Sequence, residues 1–332
     1  MPHNLSENTR TGQVSMMFYR ETPWHGLGKE LDHPATSAKA IRASDLDWEV
    51  VKQPLYVNTD QGYRRVDDKF MMMRADQLES GPGFGIVSSN YTPLQNREAF
   101  NFFDEIVGQG AAIYHTAGAI GQGERVWILA KLPDTICVIG DDICDKYLLL
   151  SNSHDGQSSV QMKFTPVRVV CQNTLMIALN QGPTVRVSHT RNMQTRMRQA
   201  RELLGIINKR YDEIAQVYKT MTKVMLDKKK LNQYYRIIFP DPRDPSNESA
   251  LKRVAKNREI AEWYFRNGRG NQEKGVIDTL WAAYNGVTEM ADYHQWPTNS
   301  ELRLNNIWFG DGYLLKARAY SAAVEKLNTW VA

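Results

Sequence analysis

The stretch that decides the fold is Lys146–Leu175, KYLLLSNSHDGQSSVQMKFTPVRVVCQNTL. Asp155-Gly156 is a strong hairpin signal, because the turns that match strand twist need positive φ and glycine adopts it without steric cost. The apolar run before this dipeptide and the β-branched run after it read as two antiparallel strands. His154 and Asp155 then fall at or near the hairpin tip. The stretch also offers serines, two threonines and Cys171. Adjacent residues on a turn, however, do not face one another as a nucleophile and its oriented base must. The reading favours a hairpin leading into a basic surface over an active site.

The pattern repeats outward from this hairpin. WEVVKQPLYVN and YRRVDDKFMMMRAD flank an Asp60-Gln61-Gly62 turn, with Val66, Phe70 and Met72 on one strand face. Two apolar strands flank Gly121-Gln122-Gly123. Thr36 or Ser37 is the expected N-cap of a first helix, and REAFNFFDEIVGQG reads as a second. The glycine-rich Gly81–Gly85 segment reads as a loop.

After the central hairpin, CQNTLMIALNQG is expected to be helical and VRVSHT a short strand. A long amphipathic helix then runs from Arg191 to Met225. Its stripe is Met193, Met197, Ala200, Leu204, Ile207, Tyr211, Ile214, Tyr218, Met221 and Met225, the pattern of a core or subunit interface. Lys228–Lys230 is expected to close that helix, where cations suit its dipole. The proline-rich segment FPDPRDPSNESALKR is a connection, and short helices follow.

Strands fill the first half and helices the second, with little βαβ alternation. That predicts an α+β protein: a curved antiparallel sheet with hairpins packed on a long helix. The expected organisation is an α+β core over residues 1–240 and a helical C-terminal part over 241–332 packed on it.

The net charge is +4, but it is unevenly spread. From Lys163 to Arg210 the chain carries nine Lys and Arg residues and one acid, Glu202, an excess of +8 that leaves −4 for the remainder. A basic block on a mildly acidic protein points to a polyanionic partner. Lys163 and Arg168 are expected on one strand, Arg186 on the next, and Arg191, Arg198 and Arg201 at the start of the long helix. Gln172 and Asn173 would donate hydrogen bonds and Phe164 would stack on a base. Cations, amides and an aromatic along a groove suit a nucleic-acid backbone without sequence readout.

Other chemistries find less support. The chain has no phosphate-binding GxxxxGK[ST], no GxGxxG after a strand and no HExxH. No cofactor is expected and no catalytic residue is assigned. Cys171 at a strand-to-helix corner could be an activated thiol, but it reads better as a small buried side chain. Asn285, Glu289 and Asp292, with His294 beyond, recur at helical spacing and offer an alternative as metal ligands of a nuclease. No run of about eighteen apolar residues spans a membrane. The polar N-terminus and three unpatterned cysteines predict a cytoplasmic, reduced protein.

Four segments carry a resemblance: DWEVVKQPLYV, IVSSNYTPLQNREAFNFFD, LSNSHDGQSSVQMKFTPVRVVCQNTL and WAAYNGVTEMADYH, in that order. They resemble the phage/plasmid-like family of unknown function, of the DUF932 type, with VRVVCQNTL the most specific part. The resemblance implies a mobile element in a bacterial host. At fold level the order of hairpins and an arginine-led helix is similar to the single-strand annealing superfamily, whose members assemble into rings or filaments. That similarity implies single-stranded DNA as partner, a homo-oligomer, and a role in replication and recombination. A defence or counter-defence protein that binds a host protein is a further alternative.

Overall fold

The computed structural model describes residues 5–8, 11–19, 27–107, 113–168, 184–193, 195, 207–294, 306–307 and 310–331. Ten strands and seven α-helices are seen among them. The strands are β1 (Met16–Tyr19), β2 (Lys29–Leu31), β3 (Val50–Thr59), β4 (Gly62–Arg74), β5 (Gly85–Ser88), β6 (Ile113–Ile120), β7 (Arg125–Ile139), β8 (Asp142–Ser153), β9 (Val160–Arg168) and β10 (Thr184–Val187). The helices are α1 (Ser37–Ala43), α2 (Asn96–Val107), α3 (Ile207–Met221), α4 (Lys228–Ile238), α5 (Glu248–Asn267), α6 (Leu280–Tyr293) and α7 (Asp311–Trp330). The fold is α+β, with α1 and α2 set between strands and α3 to α7 following the last strand.

A seven-stranded sheet has the order β10-β9-β8-β7-β6-β1-β2, and a second has the order β3-β4-β5. Both are antiparallel except where β1 runs parallel to β2. The expected turns all join consecutive strands. Glycine 156 sits at φ +77°, the conformation its turn demands, and a Cβ there would lie 2.8 Å from Val87 Cγ1. Thr36 caps α1, its side chain accepting from Lys39 N–H.

The chain divides into two compact units. The first comprises Met1–Pro133, Tyr147–Phe164 and Thr184–Ile206, and the second Asp134–Lys146, Thr165–Pro183 and Ile207–Ala332. Residue 240, the expected boundary, falls inside the second unit. The reason is packing: α3 buries Tyr211, Ile214, Tyr218 and Met221, and the Tyr218 ring lies 4.6 Å from Trp281 and 6.2 Å from Tyr284. Helix α6 is buried continuously from Leu280 to Asp292 and forms the axis of this unit. Its Trp281 Nε1–H donates to buried Asp142 at the β7–β8 turn, at 2.7 Å. Gly286 lets α5 approach, since a Cβ there would stand 2.8 Å from the Phe265 backbone nitrogen.

Three expectations change. Lys228–Lys230 does not end a helix but opens α4, because Asp227 accepts from Lys230 N–H and caps it. Met225 lies beyond the end of α3 at Met221 and is exposed, so it leaves the buried stripe. Glu248–Asn267 forms one helix of 20 residues rather than a short one, with Asn247 as its cap. The stripe members Met197, Ala200 and Leu204 lie outside the described residues, as does the expected helix CQNTLMIALNQG.

Candidate nucleic-acid interface

The segment between β8 and β9 turns inward. His154 is 0% exposed, its ring 5.6 Å from Trp48 and stacked 6.0 Å from Phe84. Its Nε2–H donates to Asn96 Oδ1 at 3.1 Å, and Asn96 in turn donates to the Leu46 carbonyl. Its Nδ1 has no partner among the described residues. Burial first, and then the nearby His189, push its pKa down to about 3, so the ring stays neutral.

Neighbouring polar groups fasten the same loop. Tyr91 Oη donates to the Ser153 carbonyl at 2.9 Å, and Asn152 Nδ2 to the Leu94 carbonyl at 3.0 Å. Asp155 Oδ1 accepts from Ser153 Oγ at 2.5 Å and from Gln157 N–H at 2.8 Å. Gly85 leaves the room in which the Asp155 backbone passes. The histidine expected near a hairpin tip is therefore a buried fastener. It ties the β8–β9 turn to the 84–96 segment, bringing together two of the stretches that carried the family resemblance.

That segment then positions a cation. Thr92 N–H donates to the His189 carbonyl at 3.1 Å, and His189 Nδ1 lies 3.1 Å from the Thr92 carbonyl. The His189 ring stacks on Tyr91 at 4.7 Å, and burial pushes its pKa down. With His189 and Met193 buried, exposed Arg191 between them is directed outward. There it meets Lys52 of β3, whose Nζ donates to the Ser89 carbonyl at 2.9 Å. Burial and then the Arg191 guanidinium push the Lys52 ammonium below the usual lysine value, with Asp68 acting in the opposite sense.

The remaining expected residues separate. Thr184 pairs with Lys163 and Arg186 with Gln161, so Lys163 and Arg186 share one face of the β9–β10 pair. Arg186 is exposed, whereas Lys163 is buried and has a partner. Phe164 is half-buried and falls by alternation on the opposite face, with buried Met162 and Val187. Arg168 ends β9, and its side chain lies outside the described residues, as do Gln172, Asn173, Arg198, Arg201 and Cys171.

The α6 carboxylates are engaged internally. Asp292 Oδ1 accepts from buried Lys316 Nζ at 2.7 Å, and Glu289 Oε2 accepts from Arg269 N–H at 3.0 Å. Burial lowers the Lys316 pKa while Asp292 raises it. Among the described residues no three His, Cys, Asp or Glu side chains cluster as a metal site would require. None of the helices among the described residues is long and apolar enough to cross a membrane.

Sequence reasoning missed Lys52. Its only local signal was a cation in the strand run WEVVKQPLYVN, and nothing in that run announces Arg191 as its neighbour.

A family model described as a domain of unknown function, DUF932, matches residues 83–318. No curated protein and no solved structure matches the chain.

Proposed function

The chain belongs to the DUF932 family, and from that premise we propose that it binds nucleic acid without reading its sequence. Single-stranded DNA is the favoured ligand, held during phage or plasmid replication and recombination by a cytoplasmic homo-oligomer. The mechanism is electrostatic and involves no covalent step.

One observation carries this reading. The first unit holds Lys52 where the Arg191 guanidinium, after burial, lowers the Lys52 pKa, and it exposes Arg186 on β10. Two cations held together are unfavourable in the free protein, and a phosphate between them relieves the repulsion. Among the described residues neither Arg186 nor Arg191 takes part in an ion pair, so both remain available to an anion. The nuclease alternative at Glu289 and Asp292 is less well supported, because Asp292 pairs with Lys316 and Glu289 holds a backbone amide.

The test is fluorescence anisotropy with a labelled single-stranded oligonucleotide at low salt, on protein freed of co-purifying nucleic acid. Arg191→Glu should weaken binding roughly tenfold or more, since it removes one phosphate contact and adds a repulsive charge. Absence of wild-type binding at low salt overturns the proposal. DNA cleavage that needs Mg²⁺ and disappears in Glu289→Gln would establish the nuclease instead.

A further inference from the structure

The β3–β4 hairpin extends beyond its sheet. The two strands pair from Val50↔Arg74 to Thr59↔Gly62, but β5 pairs with β4 only over Lys69–Met72. The outer part, residues 55–66, is a two-stranded arm. It presents two tyrosines to solvent: Tyr63 is 80% exposed and Tyr56 is 55% exposed.

Those tyrosines share a face with a cation. Tyr56 pairs with Arg65 and Asn58 with Tyr63, two positions further along, so all four side chains stand on one side of the arm. The Arg65 guanidinium lies 5.8 Å from the centre of the Phe70 ring, and Lys52 Nζ lies 5.6 Å from the same ring. Lys52 in turn neighbours Arg191. A track of cations and rings thus runs from Arg191 through Lys52, Phe70 and Arg65 to Tyr56 and Tyr63. The paired positions of this face, Lys52/Met72, Pro54/Phe70, Tyr56/Arg65 and Asn58/Tyr63, include no carboxylate; the register shift between them leaves Asp67 and Asp68 outside the pairing, where Asp68 accepts from Ser89 N–H and acts on Lys52.

We propose that this arm is a base-stacking platform for single-stranded nucleic acid, with Tyr56 and Tyr63 against base faces and Arg65 and Lys52 against phosphates. The proposal rests on the nucleic-acid reading above and adds to it the element that engages the bases. Charge complementarity selects the occupant: a second copy docking this face on itself would bring like charges together, whereas a polyanion neutralises them. Strand addition to the edge of β3 is opposed by Pro54, which has no N–H to donate, and by Lys52. Aromatic faces interleaved with cations are what unpaired bases and their backbone require, and such stacking tolerates any sequence.

The experiment compares two ligands of equal length, a labelled oligothymidylate and a labelled abasic backbone, by anisotropy. The proteins are the wild type, Tyr56→Ser/Tyr63→Ser, Tyr63→Ser alone and Tyr56→Phe/Tyr63→Phe, each checked for an unchanged melting curve. The double serine variant should bind oligothymidylate at least about tenfold more weakly, Tyr63→Ser should fall between, and the phenylalanine variant should match the wild type. All four should bind the abasic backbone equally. If the wild type binds neither ligand, the nucleic-acid reading fails and the platform with it. If the wild type binds but the serine variants bind equally well, the platform alone is overturned. Serine variants with unchanged affinity but a smaller sedimenting species would assign the face to a second copy.

Discussion

Two hairpins of the first unit invert the usual expectation of what faces in and what faces out. The β8–β9 turn carries Ser153, His154 and Asp155, residue types associated with catalysis, and buries His154 completely. The β3–β4 arm carries Tyr56 and Tyr63, residue types associated with cores, and exposes both. Tyr91, Leu94 and Asn96 of the 84–96 segment engage Ser153, Asn152 and His154 of the first hairpin, so much of its chemistry is spent on holding the chain together. The second hairpin leaves the Tyr56 and Tyr63 rings open to solvent, and such exposed surface is where binding free energy remains to be gained. The difference predicts that damage to the first removes the fold, and damage to the second leaves the fold and removes a ligand.

The largest expected effects lie on buried groups. His154→Ala empties a ring site between Trp48 and Phe84 and should cost roughly 3–5 kcal/mol of unfolding free energy. Asp292→Ala in the second unit leaves Lys316 buried without its carboxylate and should cost about 3–5 kcal/mol as well. Urea titration measures both. A well-folded Asp292→Ala protein that had lost only an activity would mean that Asp292 serves chemistry rather than structure.

A smaller effect appears with pH. The His154 pKa falls from 6.5 in an exposed chain to about 3 in the native protein. Between those values the unfolded chain binds the proton and the folded one does not, so stability rises with pH across this window. Its contribution is complete above about pH 6.5 and is lost as pH falls, by about 2 kcal/mol between pH 7 and pH 5. The lowered pKa of His189 acts in the same sense. His154→Gln should flatten part of this slope, and a wild type equally stable at pH 7 and pH 5 would contradict the burial of a neutral ring.

The smallest effect is expected on the arm. Tyr56→Ser and Tyr63→Ser should each change stability by no more than about 0.5 kcal/mol, because neither side chain is packed. A loss of several kcal/mol would show that the arm is covered by part of the protein itself, and would remove the contrast between the two hairpins.

What could be read from the sequence follows from how local each signal is. Thr36 as a cap and the turns at Asp60-Gln61-Gly62, Gly121-Gln122-Gly123 and Asp155-Gly156 depend on a few adjacent residues, and all appear in the structure. The inward turn of His154 depends on Asn96, 58 residues away, and a hairpin dipeptide says nothing about that partner. The meeting of Lys52 and Arg191 depends on His189 docking against Thr92 across 97 residues. Counting charge along the chain found the basic block but attached it to β9, where Lys163 is buried. The lysine run after Met225 misled because a single aspartate, Asp227, converts an apparent helix end into a helix start.

The most direct test of the account is the salt dependence of wild-type binding to a single-stranded oligonucleotide. Each phosphate neutralised on a single strand contributes roughly −0.7 to the slope of log affinity against log salt. Lys52, Arg65, Arg186 and Arg191 together predict a slope of about −3. A slope near that value supports a cationic track that follows a phosphate backbone. Affinity that does not change with salt would contradict the claim that these cations bind nucleic acid at all.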